Sequence, residues 1–247
     1  MWRIEVELGE PSIEDRAIFT DKVERMFIGE RIDGDGTEFA YREFEPPVAK
    51  AFYATGADWA RTRDYVEIVT FRADVYPLRL VAYQRFRRRP THYIVQQFEH
   101  QKDRYPGAAL HDATSLGGQI MDDFVATDEW STGTSVTGFN FGAHRDRQNM
   151  FTDFIIAIEA EEVVSPRIDA LYRQFKFVQN EDLRPGGTGH PPDGFVAGAM
   201  AYRASGAAQR PLRLTTVAPA VAKGNGHEGG DRAPETGLAR ALGFLGR

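Results

Sequence analysis

Near the start of the chain Ile4, Val6 and Leu8 alternate with charged neighbours, the two-residue period of a half-buried strand. Pro11-Ser12 with Asp15 three residues after the serine predicts a helix start, a variant of the capping box. Phe19, Val23, Met26 and Phe27 then fall at i, i+4, i+7 and i+8, so that helix has one buried face. A turn and a strand over 38–44 follow, and Pro46-Pro47 predicts a second helix carrying Val48, Phe52 and Trp59.

Three strand-like segments come next, at 65–73, 78–87 and 92–100, separated by Tyr76-Pro77 and Arg89-Pro90. Connections this short imply antiparallel neighbours, since a parallel pair needs a crossover of about a dozen residues or more. Leu116, Ile120 and Phe124 predict a helix over 114–126, and strands are expected at 134–142 and 153–163. Ser165-Pro166 reads as a helix start, with Ile168, Leu171, Tyr172 and Phe175 as the core face. RPGGTGHPPDG at 184–194 is a break. A hairpin is predicted from 195–203 and 211–217, joined across Ser205-Gly206. Beyond Val217 the chain turns to Ala, Gly, Pro and charge, as a flexible linker does.

Strands interrupted by a few helices predict an α+β fold, with a mainly antiparallel sheet, several packed helices and a flexible C-terminal tail. The expected organisation is a core domain at 1–183, a Gly/Pro loop and hairpin appended at 184–217, a linker at 218–234 and an amphipathic docking segment at 235–247.

Composition narrows the function classes. The chain of 247 residues is 42% hydrophobic and 12% aromatic, enough for a folded body with a substantial core. With 36 acidic against 30 basic residues the net charge is −6, which counts against a nucleic-acid partner. No cysteine is present, so thiolate metal sites and Cys nucleophiles are excluded, and a reducing cytoplasm suits the chain. No secretory signal is expected in MWRIEVELGE, and no apolar run approaches the roughly 18 residues of a membrane span.

Several motifs mimic known chemistry. IDGDGTEFAYRE at 32–43 resembles a calcium loop, but aligning Gly36 on the obligatory glycine puts Arg31 and Arg42 where two anions are required. Asp-Gly turns account for it. AHRDRQN at 143–149 has the beginning of a kinase catalytic loop with Asn149 too close to Asp146, and is expected to be a polar loop between strands. GGTGH lacks the lysine of a phosphate loop.

The metal candidates are His92 with His100, His111-Asp112, Asp122-Asp123, Asp128-Glu129 and Glu159, Glu161 and Glu162. His92 and His100 would lie roughly 25 Å or more apart on one strand and could not share an ion. No metal site and no cofactor is assigned, and no catalytic residue is identified. YQRFRRRP places Arg85, Arg87, Arg88 and Arg89 among aromatic residues, a composition that tracks phosphates and stacks bases. The same pattern serves as a solvated sheet edge.

The ending TGLARALGFLGR places Leu238, Leu242 and Leu245 at i, i+4 and i+7, with Phe244 beside them. It is shorter than the roughly 12–15 residues an isolated helix needs. Burial of its four apolar side chains offers roughly 6–12 kcal/mol, of which ordering takes back on the order of 2–5. It is thus expected to order on a protein partner, on a second copy or on its own body. It resembles the C-terminal addressing peptides of cargo proteins packed into bacterial protein shells, and that resemblance implies a tether. The reading that follows is a non-catalytic structural or adaptor subunit, cytoplasmic and tethered by this peptide. The alternative is a small-molecule-binding domain or enzyme using carboxylates or His111 between sheet and helices. A third is single-stranded nucleic-acid binding through 83–90.

Overall fold

The computed structural model describes residues 15–32, 39–59, 65–114, 136–142, 144–184 and 189–206. All belong to a compact unit spanning Met1–Pro211, separate from a second at Leu212–Arg247. The expected strand at 3–8, the Ser12 cap, the calcium-like Asp-Gly turn, the helix at 114–126 and everything after Gly206 lie outside the described residues.

The fold class is α+β, as the pattern predicts. In chain order the elements are α1 (Thr20–Met26), β1 (Phe27–Ile32), β2 (Phe39–Glu43), β3 (Tyr53–Asp58), β4 (Val66–Arg72), β5 (Leu78–Phe86), α2 (Thr91–Arg104), β6 (Gly107–Asp112), β7 (Val136–Phe139), α3 (His144–Glu159), β8 (Val163–Ile168), α4 (Asp169–Phe177), α5 (Asn180–Leu183) and α6 (Asp193–Ala204). One sheet runs β1-β8-β5-β4-β3-β6-β7, with β2 on β5. It is mixed. The pairs β3/β4, β4/β5 and β2/β5 are antiparallel, whereas β3/β6, β6/β7, β5/β8 and β1/β8 are parallel. The mainly antiparallel expectation failed because it mistook α2, the crossover from β5 to β6, for a third hairpin strand.

Four other segments change identity, for related reasons. Residues 53–58, expected in a helix, form β3, buried along its whole length. Residues 153–159 and 195–203, expected as strands, lie in α3 and α6, while 160–162 form the turn that leads into β8 at Val163. In α6 every residue from Gly194 to Tyr202 is buried, so no polar face exposes the helical period. Ser165-Pro166, expected to start a helix, lies inside β8. There β8 pairs with β5 only through Val163 and Val164, so the missing N–H of Pro166 interrupts no ladder on that side. Helix α4 begins just after and buries Leu171, Tyr172 and Phe175 of the expected core face, while Ile168, also buried, ends β8. In α1 only Val23 and Met26 are buried, while Phe19 caps it in solvent, 68% exposed.

Side chains on one face of the sheet pack against α1, α3, α4 and α6, and those on the other against α2. Phe154 stands at the centre of the first layer, with ring centroids 5.6 Å from Phe195 and Tyr202, 5.8 Å from Phe175 and 6.4 Å from Phe71. Phe154→Ala should cost about 3–5 kcal/mol, visible as a lower urea midpoint at unchanged m-value. A loss below about 1 kcal/mol would show that this layer is not the main core. Among the described residues no helix is long and apolar enough to cross a membrane.

Candidate active site

Strands β3 and β6 lie side by side in parallel, paired from Tyr53↔Gly107 to Ala57↔His111. Each ends one residue later in an aspartate, Asp58 and Asp112. Alternation along each strand puts these two on the face that meets α6, while Ala57, Ala109 and His111 face α2. The first residue of α6 is a third aspartate, Asp193, following Pro192.

Two glycines bring α6 this close. A Cβ on Gly56 would stand 2.0 Å from the Ala197 carbonyl oxygen and 2.4 Å from the Ala201 nitrogen. One on Gly194 would stand 2.4 Å from Glu67 Oε2. Only glycine permits the helix to rest directly on the strand at these points.

Glu67 lies opposite Asp58 on β4 and is 1% exposed. It accepts hydrogen bonds from Tyr83 Oη (2.6 Å), Arg85 Nε (3.0 Å) and Gln174 Nε2 (2.6 Å). Gln174 Oε1 in turn accepts from the Gly194 N–H at 2.7 Å, so one side chain ties Glu67 to the start of α6. Asp193 Oδ2 accepts from the Tyr65 N–H at 3.0 Å. Asp112 Oδ1 accepts from the Thr114 N–H at 2.7 Å.

The electrostatics mark this cluster. Burial, and after it the charges of Asp193, Asp112 and Glu67, hold the Asp58 carboxyl well above the usual carboxylate range. Burial also raises Asp112, against the pull of Thr114 hydrogen bonds and His190. Glu67 is raised by burial, with Arg85, Tyr83 and Gln174 opposing. Several carboxyl groups thus crowd low-dielectric surroundings where they resist ionising together, a setting in which functional carboxylates are found.

The donors are all hard oxygen, and their chemistry and charge suit a hard divalent cation. Among the described residues, no three His, Cys, Asp or Glu side chains are already gathered around one point as a finished ligand set. An ion would have to draw Asp58, Asp112 and Asp193 inward against their mutual repulsion.

Of the residues singled out in the sequence that the structure describes, Asp112 belongs to the cluster and Arg85 reaches it through Glu67. His111 is fully buried on the opposite face, where the Trp59 indole N–H donates to its Nδ1 at 2.9 Å. Burial lowers its pKa, so it is neutral and turned away from the carboxylates. His92 and His100 sit on α2, roughly 12 Å apart along the axis. Glu161 is bound by Lys22 and Arg25. The kinase-like AHRDRQN is not a loop between strands but, apart from Ala143, the opening of α3. Asp122, Asp123, Asp128, Glu129, Leu238, Leu242, Phe244 and Leu245 fall outside the described residues. Arg85 is engaged with Glu67, and its guanidinium lies 3.5 Å from the Tyr65 ring centroid. Arg87, Arg88 and Arg89 follow the end of β5.

Sequence reasoning missed Asp58, Glu67 and Asp193. Two signals were available: YATGAD and GAALHD are both small-residue hexapeptides ending in Asp, and PPDG sets an aspartate at a helix start.

No protein-family model matches the chain, and no curated protein matches it. Solved structures do share its fold. The large terminase nuclease from thermophilic phage G20c superposes with a TM-score of 0.58 at 15% identity, covering 74% of this chain and 96% of that one. The same nuclease with bound magnesium gives 0.61 at 12% identity, covering 78% and 98%. The large terminase nuclease domain of Thermus phage P74-26 gives 0.55 at 14% identity, covering 74% and 93%. At these identities the likeness establishes the fold. It also overturns the reading of the chain as a non-catalytic structural or adaptor subunit, because these solved structures are by name nucleases. The expectation that nucleic acid is an unlikely partner falls with it. Net charge misled, because a whole-chain total does not exclude a local basic patch.

Proposed function

We propose that this chain is a divalent-metal-dependent nuclease acting on DNA. The observation that carries the reading is the convergence of Asp58, Asp112 and Asp193, from two parallel strand ends and one helix start, with the Asp58 pKa raised by burial and by its acidic neighbours. The fold shared with a terminase nuclease solved with bound magnesium supports it. In this reading the chain works in the cytoplasm.

The three aspartates would hold the cation, which supplies an activated water and neutralises charge on the phosphate. The chain's own contribution is placement. The Tyr65 N–H and the Thr114 N–H orient Asp193 and Asp112, and Gln174 fixes the start of α6 relative to Glu67. Arg85 compensates the Glu67 charge, so that Glu67 supports the site without competing for the cation. Hydrolysis breaks one phosphodiester P–O bond, delivers hydroxide to phosphorus and leaves the proton on the departing oxygen.

The test is incubation of the full chain with linear duplex DNA in magnesium or manganese, with EDTA as control. Cleavage should require the metal and should fall on the order of 10³-fold in Asp112→Asn and Asp193→Asn. Absence of metal-dependent cleavage in the wild-type chain, or undiminished cleavage in both variants, would overturn the reading.

A further inference from the structure

Strand β5 is antiparallel to β4, which is antiparallel to β3, so β5 and β3 run the same way and end at the same edge of the sheet. Asp58 ends β3 at that edge, and Arg87, Arg88 and Arg89 continue from the end of β5, two strand positions away. Two inter-strand spacings are about 10 Å, roughly three nucleotide rises along the axis of a duplex.

The side chains are arranged for phosphates and not for bases. The guanidinium of Arg85 covers the Tyr65 ring at 3.5 Å and that of Arg87 approaches it at 5.2 Å, while Arg89 lies 5.6 Å from the Tyr93 ring. Tyr93 also meets Phe86 edge-on, with centroids 5.6 Å apart. These rings hold guanidinium groups in place and are not open stacking platforms. Among the described residues neither Arg87 nor Arg88 takes part in an ion pair, and Arg88 is exposed. Arg88 also has a left-handed φ of 54°, a conformation that glycine or asparagine adopts more cheaply. A strained non-glycine residue at the rim of a candidate site is a sign of function.

We propose that Arg87, Arg88 and Arg89 form a sequence-independent track for the phosphate backbone of the DNA strand entering or leaving the carboxylate centre. The inference rests on the nuclease reading and adds to it the side from which substrate is held. Arg85 is not part of the track, since its charge is committed to Glu67.

The test compares the wild-type chain with R87Q/R88Q/R89Q. Binding to a linear duplex is measured in EDTA across a salt series, and cleavage in magnesium. Three lost phosphate contacts should reduce the slope of log K against log salt by about 2 to 3. They should raise KM roughly tenfold or more while leaving kcat within about twofold. R87K/R88K/R89K should restore the slope, because the contact is a charge and not a shape. If the triple glutamine variant does not fold, R88Q alone should reduce the slope by about 1. Unchanged slope and KM with intact cleavage would overturn the track and leave the nuclease reading standing. No cleavage by the wild-type chain would remove both.

Discussion

Asp58→Asn is expected to abolish cleavage, on the order of 10³-fold or more, while making the metal-free protein more stable. Burial and three acidic neighbours raise the Asp58 pKa in the folded state, so the folded chain binds that proton more tightly than the unfolded chain does. The stability this group contributes is full below the ordinary aspartate pKa of about 3.9. It is lost as pH rises through the folded value. At neutral pH without a cation, ionised Asp58 is therefore a cost. The asparagine amide does not carry it, and its N–H groups offer donors to carboxylates that otherwise only repel. Calorimetry in EDTA should show a melting temperature a few degrees higher for the variant. Magnesium should raise the wild-type value and leave the variant nearly unmoved, and wild-type metal affinity should increase with pH as Asp58 gives up its proton. A variant that cuts DNA within tenfold of wild type, or melts lower than wild type in EDTA, would refute the assignment of Asp58.

The second large effect is at Gly56, where activity and stability should fall together. A methyl group there meets backbone atoms of α6 at 2.0 and 2.4 Å, and backbone cannot swing aside as a side-chain tip can. Gly56→Ala should cost about 3 kcal/mol or more, at the upper end of overpacking. Any chain that still folds must lift α6 from β3, carrying Asp193 away from Asp58. Cleavage should then drop even under conditions where circular dichroism shows a folded protein, and extra magnesium should not restore it. A urea midpoint and a cleavage rate both close to wild type would show that the helix does not rest on this strand.

These two variants also show how much the sequence could reveal. β2, β4, β5 and β7 are legible because turns bracket them, and the core face of α4 is legible because its opposite face is polar. β3 and α6 are not. Both are covered on all sides, so neither displays the alternation or the amphipathic stripe by which strand and helix are told apart. The α2 segment misleads in another way. Its β-branched and aromatic Thr91, Tyr93, Ile94 and Val95 suit a strand, yet Ile94, Phe98, Gln101 and Lys102 are the residues it buries, at helical spacing. The site was hidden for the same reason as the elements that build it. Asp58 and Asp193 close off the two least readable segments, and nothing local links them. Asp112 was noticed only for its neighbour His111, which takes no part.

The seating of α6 on β3 joins Gly56 to Ala197 and Ala201, far apart in the chain. Contacts of such sequence separation are among the last to be secured as a protein folds. Asp58 and Asp112 come with the sheet, but the third carboxylate arrives only with the final described helix. In the proposed nuclease, a chain still on the ribosome, or clipped ahead of residue 193, would lack both the third carboxylate and the buried helix that completes the core. Competence is thereby tied to α6, and a fragment ending at residue 184 should be inert toward DNA at any magnesium concentration.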